Sequence, residues 1–287
     1  MGTRTTNTES IINARHRIEK CLGEAGVASP TAEADLLLES VLKLDRVSLL
    51  LCPTRVLSQG EQAKLTKWLA RRMKREPLQH ILGWAPFFGL ELEVTSDTLV
   101  PRPETEQLVE LSLRRLSDST RPVVLDVGTG SGAIALAIKL ERPDATVVAT
   151  DISPKALRLA RRNANKLGLQ INVIAADLLT HPKVTKWAKK ARLVVSNPPY
   201  LPDGDRELVP PEVKADPDLA VFGGLDGLDV VRRLEHQAQS LLKPGAELLL
   251  ELDPRNLTVV RDFAKSWEYS QSYEDLAERK RFLLLTR

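Results

Sequence analysis

The chain has 287 residues, 43% hydrophobic and 28% charged, with a formal net charge of +3, which is ordinary for a soluble enzyme with one large and one smaller domain. No apolar run approaches the roughly 18–20 residues that cross a bilayer, and residues 1–13 lack the apolar centre of a secretory signal. Their Thr and Arg content resembles a short organellar presequence, but Glu9 and the brevity of the segment argue against one. Two cysteines, Cys21 and Cys52, with no Cys or His at ligand spacing, exclude a disulfide framework and a zinc site, and they point to reduced thiols in the cytoplasm.

Up to about residue 76 the pattern is helical. Ile11, Ile12, Ala14, Ile18, Cys21 and Leu22 share one face of a first helix. Ser29 and Pro30 read as an N-cap followed by proline at the first helical position, opening a helix through Leu44. Ser58 and Glu61 form a capping box before Ala63, Leu65, Trp68 and Leu69. Residues 1–76 are thus expected to be a small helical bundle without chemistry of its own, suited to substrate recognition. Basic runs at Arg71–Arg75 and Lys186–Lys190 read as solvated helix faces, and His16, His80, His181 and His236 form no motif.

Residues 77–97 are expected to be a linking β-hairpin, with extended runs at Gln79–Leu82 and Phe87–Leu92. From residue 98 to 287, apolar β-rich runs at Val123–Val127, Thr146–Asp151, Ile171–Ala175, Leu193–Asn197 and Glu247–Leu252 alternate with helical stretches. Such alternation implies an α/β domain, a parallel sheet with helices on both faces.

The run Asp126-Val127-Gly128-Thr129-Gly130-Ser131-Gly132 turns from the first of these strands into a helix. Glycine belongs where backbone turns tightly and must approach a ligand without a Cβ. Asp151 ends the second strand, where a carboxylate can accept from both hydroxyls of a ribose. Asp177 follows the third, where it can accept from an adenine amine while Leu178 packs on the ring. A dinucleotide competes for this pattern. The glycines, however, are spaced Gly-x-Gly-x-Gly rather than Gly-x-Gly-x-x-Gly, and Asp126 repels phosphate while favouring an ammonium. S-adenosylmethionine meets every one of these constraints, and no metal is implied.

After the apolar run Leu193–Val195 stands Asn197-Pro198-Pro199-Tyr200. Two prolines fix φ near about −65° and stiffen the backbone. The Asn197 side-chain carbonyl and the Pro198 backbone carbonyl then form a fixed pair of acceptors for an –NH2 group. Pro199 and Tyr200 would wall an apolar slot, with Tyr200 packed on a flat amide. An adenine N6 or a guanine N2 would satisfy the same pair, and a silent adaptor would be expected to have lost these residues.

Taken together, Gly128–Gly132, Asp151 and Asn197–Tyr200 resemble the seven-stranded Rossmann-like class I methyltransferases that act on planar nitrogens. Thr98-Leu99-Val100-Pro101-Arg102-Pro103-Glu104-Thr105-Glu106 and Gly223-Gly224-Leu225-Asp226-Gly227-Leu228 are similar to segments of the HemK/PrmC family over nearly the whole chain. That family methylates the glutamine side-chain amide in the Gly-Gly-Gln motif of class I peptide chain release factors. The resemblance implies S-adenosylmethionine as methyl donor, held by Asp126, Gly128, Thr129, Gly130, Ser131, Gly132, Asp151, Ile152, Asp177, Leu178 and Asn197. It implies a glutamine held at Asn197, Pro198, Pro199 and Tyr200, a release factor as partner, and neither a nucleic-acid substrate nor a membrane. Two segments depart from the family pattern, Glu251-Leu252-Asp253 and Asp275-Leu276-Ala277-Glu278-Arg279-Lys280-Arg281. Arg102, Glu104 and Glu251 suit either a wall beside the glutamine or plain structural roles.

Overall fold

A computed structural model describes residues 9–287; the first eight residues of the expected 1–76 domain, and most of the segment weighed as a leader, lie outside the described residues. Contacts divide the chain into two units, one ending at Gly83 and the other spanning Trp84–Arg287.

The first unit is helical: α1 (Ile11–Glu24), α2 (Pro30–Leu42), α3 (Arg46–Leu51), α4 (Gln59–Arg72) and α5 (Leu78–Leu82). α1 buries Ile11, Ala14, Ile18 and Leu22 against Leu37, Leu38, Leu65 and Leu69 of α2 and α4. Each fully buried leucine contributes about 1.5–3 kcal/mol. The capping box at α4 is complete, with Ser58 and Glu61 each accepting from the other's backbone N–H. Ser29 occupies the N-cap of α2 without a side-chain cap bond, and α2 ends at Leu42 because Lys43 takes the left-handed conformation. The short α3, capped by Asp45, has no forerunner in the periodicity. One expectation is corrected here: Gln79–Leu82 is helical, not extended. Pro77 precedes the turn, Leu78 and Ile81 bury at helical spacing, and Gly83 closes it at φ +83°.

In the second unit, β1 (Trp84–Phe87) and β2 (Leu90–Glu93) form an antiparallel hairpin closed by Phe88 and Gly89, both at positive φ, as a tight two-residue turn requires. Then follow α6 (Pro103–Arg115), β3 (Val123–Val127), α7 (Ala133–Glu141), β4 (Thr146–Asp151), α8 (Pro154–Leu167), β5 (Asn172–Ala175), α9 (Pro182–Ala188) and β6 (Leu193–Ser196). Beyond β6 come a single 3₁₀ turn, α10 (Pro211–Lys214), α11 (Asp218–Val221), α12 (Asp229–Leu241), β7 (Glu247–Glu251), α13 (Leu257–Phe263), β8 (Tyr269–Glu274) and β9 (Lys280–Thr286).

The seven-stranded sheet has the order β5-β4-β3-β6-β7-β9-β8, parallel except where β9 inserts antiparallel to both β7 and β8. The period of two along each strand splits the core into two layers. Leu125, Val127, Val194, Leu248 and Leu250 face α9, α12 and α13. Val124, Leu193, Val195, Leu249 and Leu284 face α6, α7 and the hairpin. The chain leaves β3 towards β4 and β5, then returns on the other side of β3 to make β6. The loops after β3 and β6 therefore diverge and open a crevice at their carboxyl ends, where open α/β sheets bind ligands.

Candidate active site

A cavity of about 270 Å³ opens at this crevice, lined by Gly128–Ser131, Asp151, Ile152, Asp177, Leu178, Asn197 and Pro199, together with Thr98, Arg102, Thr105 and Arg233. Its floor is the turn after β3. The backbone N–H groups of Gly128 and Thr129 both donate to the Thr150 carbonyl at 2.8 Å, so the turn hangs from β4. Gly128, Gly130 and Gly132 all have positive φ. A Cβ built on Gly128 would meet no atom of the described residues beyond its chain neighbours within 4 Å, which leaves that space open to a ligand, whereas one on Gly132 would press on Leu136 and Ala160.

Asp151 accepts from the Gly130 N–H at 2.9 Å and the Ser153 N–H at 2.8 Å, and burial raises its pKa above the usual carboxylate value. Each of its oxygens keeps a further lone pair, so ribose hydroxyls can still donate to it. Asp177 and Leu178 stand on the wall, with an ion pair from Arg233 of α12 to the Asp177 carboxylate. Ile152 is 59% exposed at the mouth, an apolar surface for a flat ring.

Asp126 lies below the wall. It is 0% exposed, and its Oδ2 accepts from Thr129 Oγ1 at 2.6 Å and from the Ala135 N–H at 3.1 Å. Its Oδ1 is buried with no hydrogen-bond partner among the described residues, and desolvation pushes the carboxyl up to about 7. In this position Asp126 pins the glycine turn to the start of α7.

On the opposite wall, Ser196 Oγ donates to the Val127 carbonyl at 2.6 Å, tying the ends of β6 and β3 together. Asn197 and Pro199 face the cavity, while the Pro198 ring is buried and Tyr200 stands outside the lining, its phenol pKa raised by burial. Asn197 Nδ2 donates to Thr105 Oγ1 at 3.0 Å, and Thr105 Oγ1 donates to Glu251 Oε2 at 2.8 Å.

Behind the tetrapeptide lies the Gly223–Leu228 loop. A Cβ on Gly223 would sit 2.5 Å from the Pro199 carbonyl oxygen, and one on Gly227 2.2 Å from that of Tyr200. These two glycines let backbone pack directly on backbone. Asn256 Nδ2 donates to the Tyr200 carbonyl at 3.2 Å. Arg102 donates to Asp216 Oδ2 at 2.5 Å and the Val100 N–H to Asp216 Oδ1 at 3.2 Å, joining the segment before α6 to the loop after α10. Burial lifts Asp216 to about 6. Arg233, Asp216 and the Thr105–Glu251 link escape sequence reasoning, since each becomes a site residue only through a partner distant in the chain.

Residues 13–83 match the PrmC N-terminal domain, and residues 105–209 match the Methyltransferase small domain. The chain is 45% identical over 263 residues to the release factor glutamine methyltransferase of Deinococcus radiodurans, covering 91% of this chain and 93% of that one. It is 37% identical over 282 residues to that of Moorella thermoacetica, covering 94% and 98%. In fold it is similar to the T. thermophilus 16S rRNA N2 G1207 methyltransferase RsmC, solved with AdoMet and guanosine (TM-score 0.50, 22% identity, 71% of this chain and 49% of that one). It is also similar to the hMettl16 catalytic domain, solved with the MAT2A 3′UTR hairpin 1 (TM-score 0.55, 14% identity, 81% and 83%). These two likenesses establish the seven-stranded Rossmann-like methyltransferase fold.

Proposed function

Since the chain belongs to the release factor glutamine methyltransferase family, we propose that Asn197 Oδ1 and the Pro198 carbonyl are the acceptor pair that grips the glutamine side-chain amide. The reaction is transfer of a methyl group from S-adenosylmethionine to that amide nitrogen in the Gly-Gly-Gln motif of class I release factors. The observation that carries the assignment of residues is the position of Asn197, which faces the cavity from the end of β6 opposite the glycine turn.

The residues present fit the methyl donor. Open space over Gly128, the lone pairs of Asp151, the Asp177 carboxylate and the apolar surfaces of Ile152 and Leu178 suit an adenosyl group. When bound, that group supplies an electrophilic sulfonium methyl. Asp126 acts by holding the turn. An amide nitrogen is a weak nucleophile because its lone pair is shared with the carbonyl, so placement and electrostatics carry the rate. Asn197 and Pro198 would accept both N–H bonds, aim the nitrogen and stabilise the positive charge that grows on it. No side chain need remove a proton before attack, because the nitrogen becomes acidic only as its new bond forms. Pro199 completes the slot, whereas Tyr200, expected beside it, stands outside the cavity lining.

Residues 1–76 are assigned to substrate recognition, 77–97 to the link and 98–287 to catalysis. The partner is a release factor protein in the cytoplasm, with no nucleic-acid substrate and no membrane; among the described residues no helix is long and apolar enough to cross one. The test is incubation with labelled S-adenosylmethionine and either a release factor or nucleic acid, followed by mass spectrometry. One added methyl on the Gly-Gly-Gln glutamine is expected, and label in nucleic acid would refute the assignment.

A further inference from the structure

We propose that Thr105 and Glu251 are positioning residues that set which way round the Asn197 amide stands, holding its carbonyl oxygen toward the substrate. The inference rests on the acceptor role given to Asn197 above.

A carboxamide has an oxygen and an –NH2 of nearly equal size, and a half-turn about its last torsion exchanges them. Turned the wrong way, Asn197 would meet the substrate –NH2 with its own –NH2, and the grip would be lost. Something must distinguish the two orientations. A hydroxyl alone cannot, because it donates or accepts as required. Thr105, however, has a single proton, and that proton is given to Glu251 Oε2 at 2.8 Å. Only lone pairs remain for Asn197, which accordingly presents Nδ2 at 3.0 Å. An ionised Glu251 only accepts, so direction passes from carboxylate to hydroxyl to amide. Both supports are buried, Thr105 at 5% and Glu251 at 1% exposure. They come from the first turn of α6 and the end of β7, independent of the strand that carries Asn197.

The state of Glu251 is balanced by its surroundings. Burial opposes the carboxylate, with Glu104 of α6 and Asp275, while the Thr105 hydroxyl and Arg281 of β9 favour it, and the Tyr200 phenol interacts with it electrostatically. The carboxyl is lifted to about 7. Below that pH, protonated Glu251 can donate to Thr105, Thr105 can donate to Asn197, and the chain of bonds reverses.

The test uses the full-length enzyme with a release factor substrate. Thr105→Val, which keeps shape and removes the hydroxyl, should lower kcat about tenfold or more while S-adenosylmethionine affinity stays within about twofold, and Thr105→Ser should restore most of the rate. The wild-type kcat should rise with pH through about 7, and Glu251→Gln should lose that step. Titrations of Asp126 and Asp216 persist in both proteins, so the difference between the two profiles reads Glu251. Adding Thr105→Val to Asn197→Ala should cost no further rate, as for residues acting through one group. Near-normal turnover by Asn197→Ala would remove the acceptor role and this inference with it. An inactive Asn197→Ala beside a fully active Thr105→Val, an additive double variant or an unchanged pH profile in Glu251→Gln would leave the acceptor role standing and overturn the positioning role.

Discussion

The two walls of the cavity are built by different means. On the cofactor side, supports are near in sequence: Asp126 holds Thr129 and Ala135, and Asp151 holds Gly130 and Ser153. On the acceptor side, Asn197 leans on Thr105, Thr105 on Glu251, and the tetrapeptide backbone on Gly223, Gly227 and Asn256. Apart from the Arg233–Asp177 pair, the first wall is held within the single unit of β3, α7 and β4. The second exists only once α6, β6, β7 and the Gly223–Leu228 loop have come together. Damage to the cofactor wall should therefore change binding, and damage to the acceptor wall should change rate.

Four variants would break or sharpen that contrast. The largest effect is expected from Asn197→Ala, a loss of kcat of roughly 10²–10³-fold, the size seen when one donor or acceptor facing the transition state is removed. Calorimetry should find cofactor affinity within about twofold of wild type; a large loss of affinity would merge the two walls. Next, Asp151→Asn should weaken S-adenosylmethionine binding about 10–100-fold, as when a charged hydrogen-bond partner is replaced, with kcat at saturating cofactor much less affected. Gly227→Ala would force a Cβ onto the Tyr200 carbonyl. It should lower stability by about 1–3 kcal/mol and reduce kcat rather than cofactor affinity, which denaturant titration and steady-state kinetics would separate.

The smallest effect concerns Asp126, whose carboxyl rises in the folded protein from its ordinary 3.8 to about 7. The folded state thus holds a proton that the unfolded state has released between those values. Stability falls as pH rises through that window. Asp126→Asn should remove that slope and, without cofactor, exceed wild type by about 1–2 kcal/mol at pH 8 in thermal or urea unfolding. A variant less stable than wild type at pH 8 would mean that the carboxylate is paid back by a contact other than Thr129 and Ala135.

What could be read from the chain follows the same division. The glycine turn, Asp151 and the capping box at Ser58 and Glu61 were legible because their partners lie within one supersecondary unit. Asn197–Tyr200 was legible as a stiff segment at the end of a buried strand, but its bracing was not. Thr105 looks like an ordinary first-turn residue of a helix, and Glu251 like the end of a strand. Gly223 and Gly227 resemble loop glycines until the carbonyls of Pro199 and Tyr200 are seen against them. Arg233 is indistinguishable in sequence from a solvated helical arginine until it meets Asp177. The misread stretch Gln79–Leu82 is too short for periodicity to separate strand from helix, and only its flanking Pro77 and Gly83 settle it.

The insertion of β9 between β7 and β8 has a consequence for the order in which the protein matures. Glu251 faces Phe282 across that ladder, and Arg281 beside it steadies the carboxylate. During vectorial synthesis β3, β4, β5 and β6, with the whole glycine turn, emerge and can pair before residues 280–286 exist. Until those residues arrive, one edge of β7 stays open to water and Glu251 lacks Arg281 beside it. The glycine turn of a nascent chain can thus be complete well before the surroundings of Glu251 are.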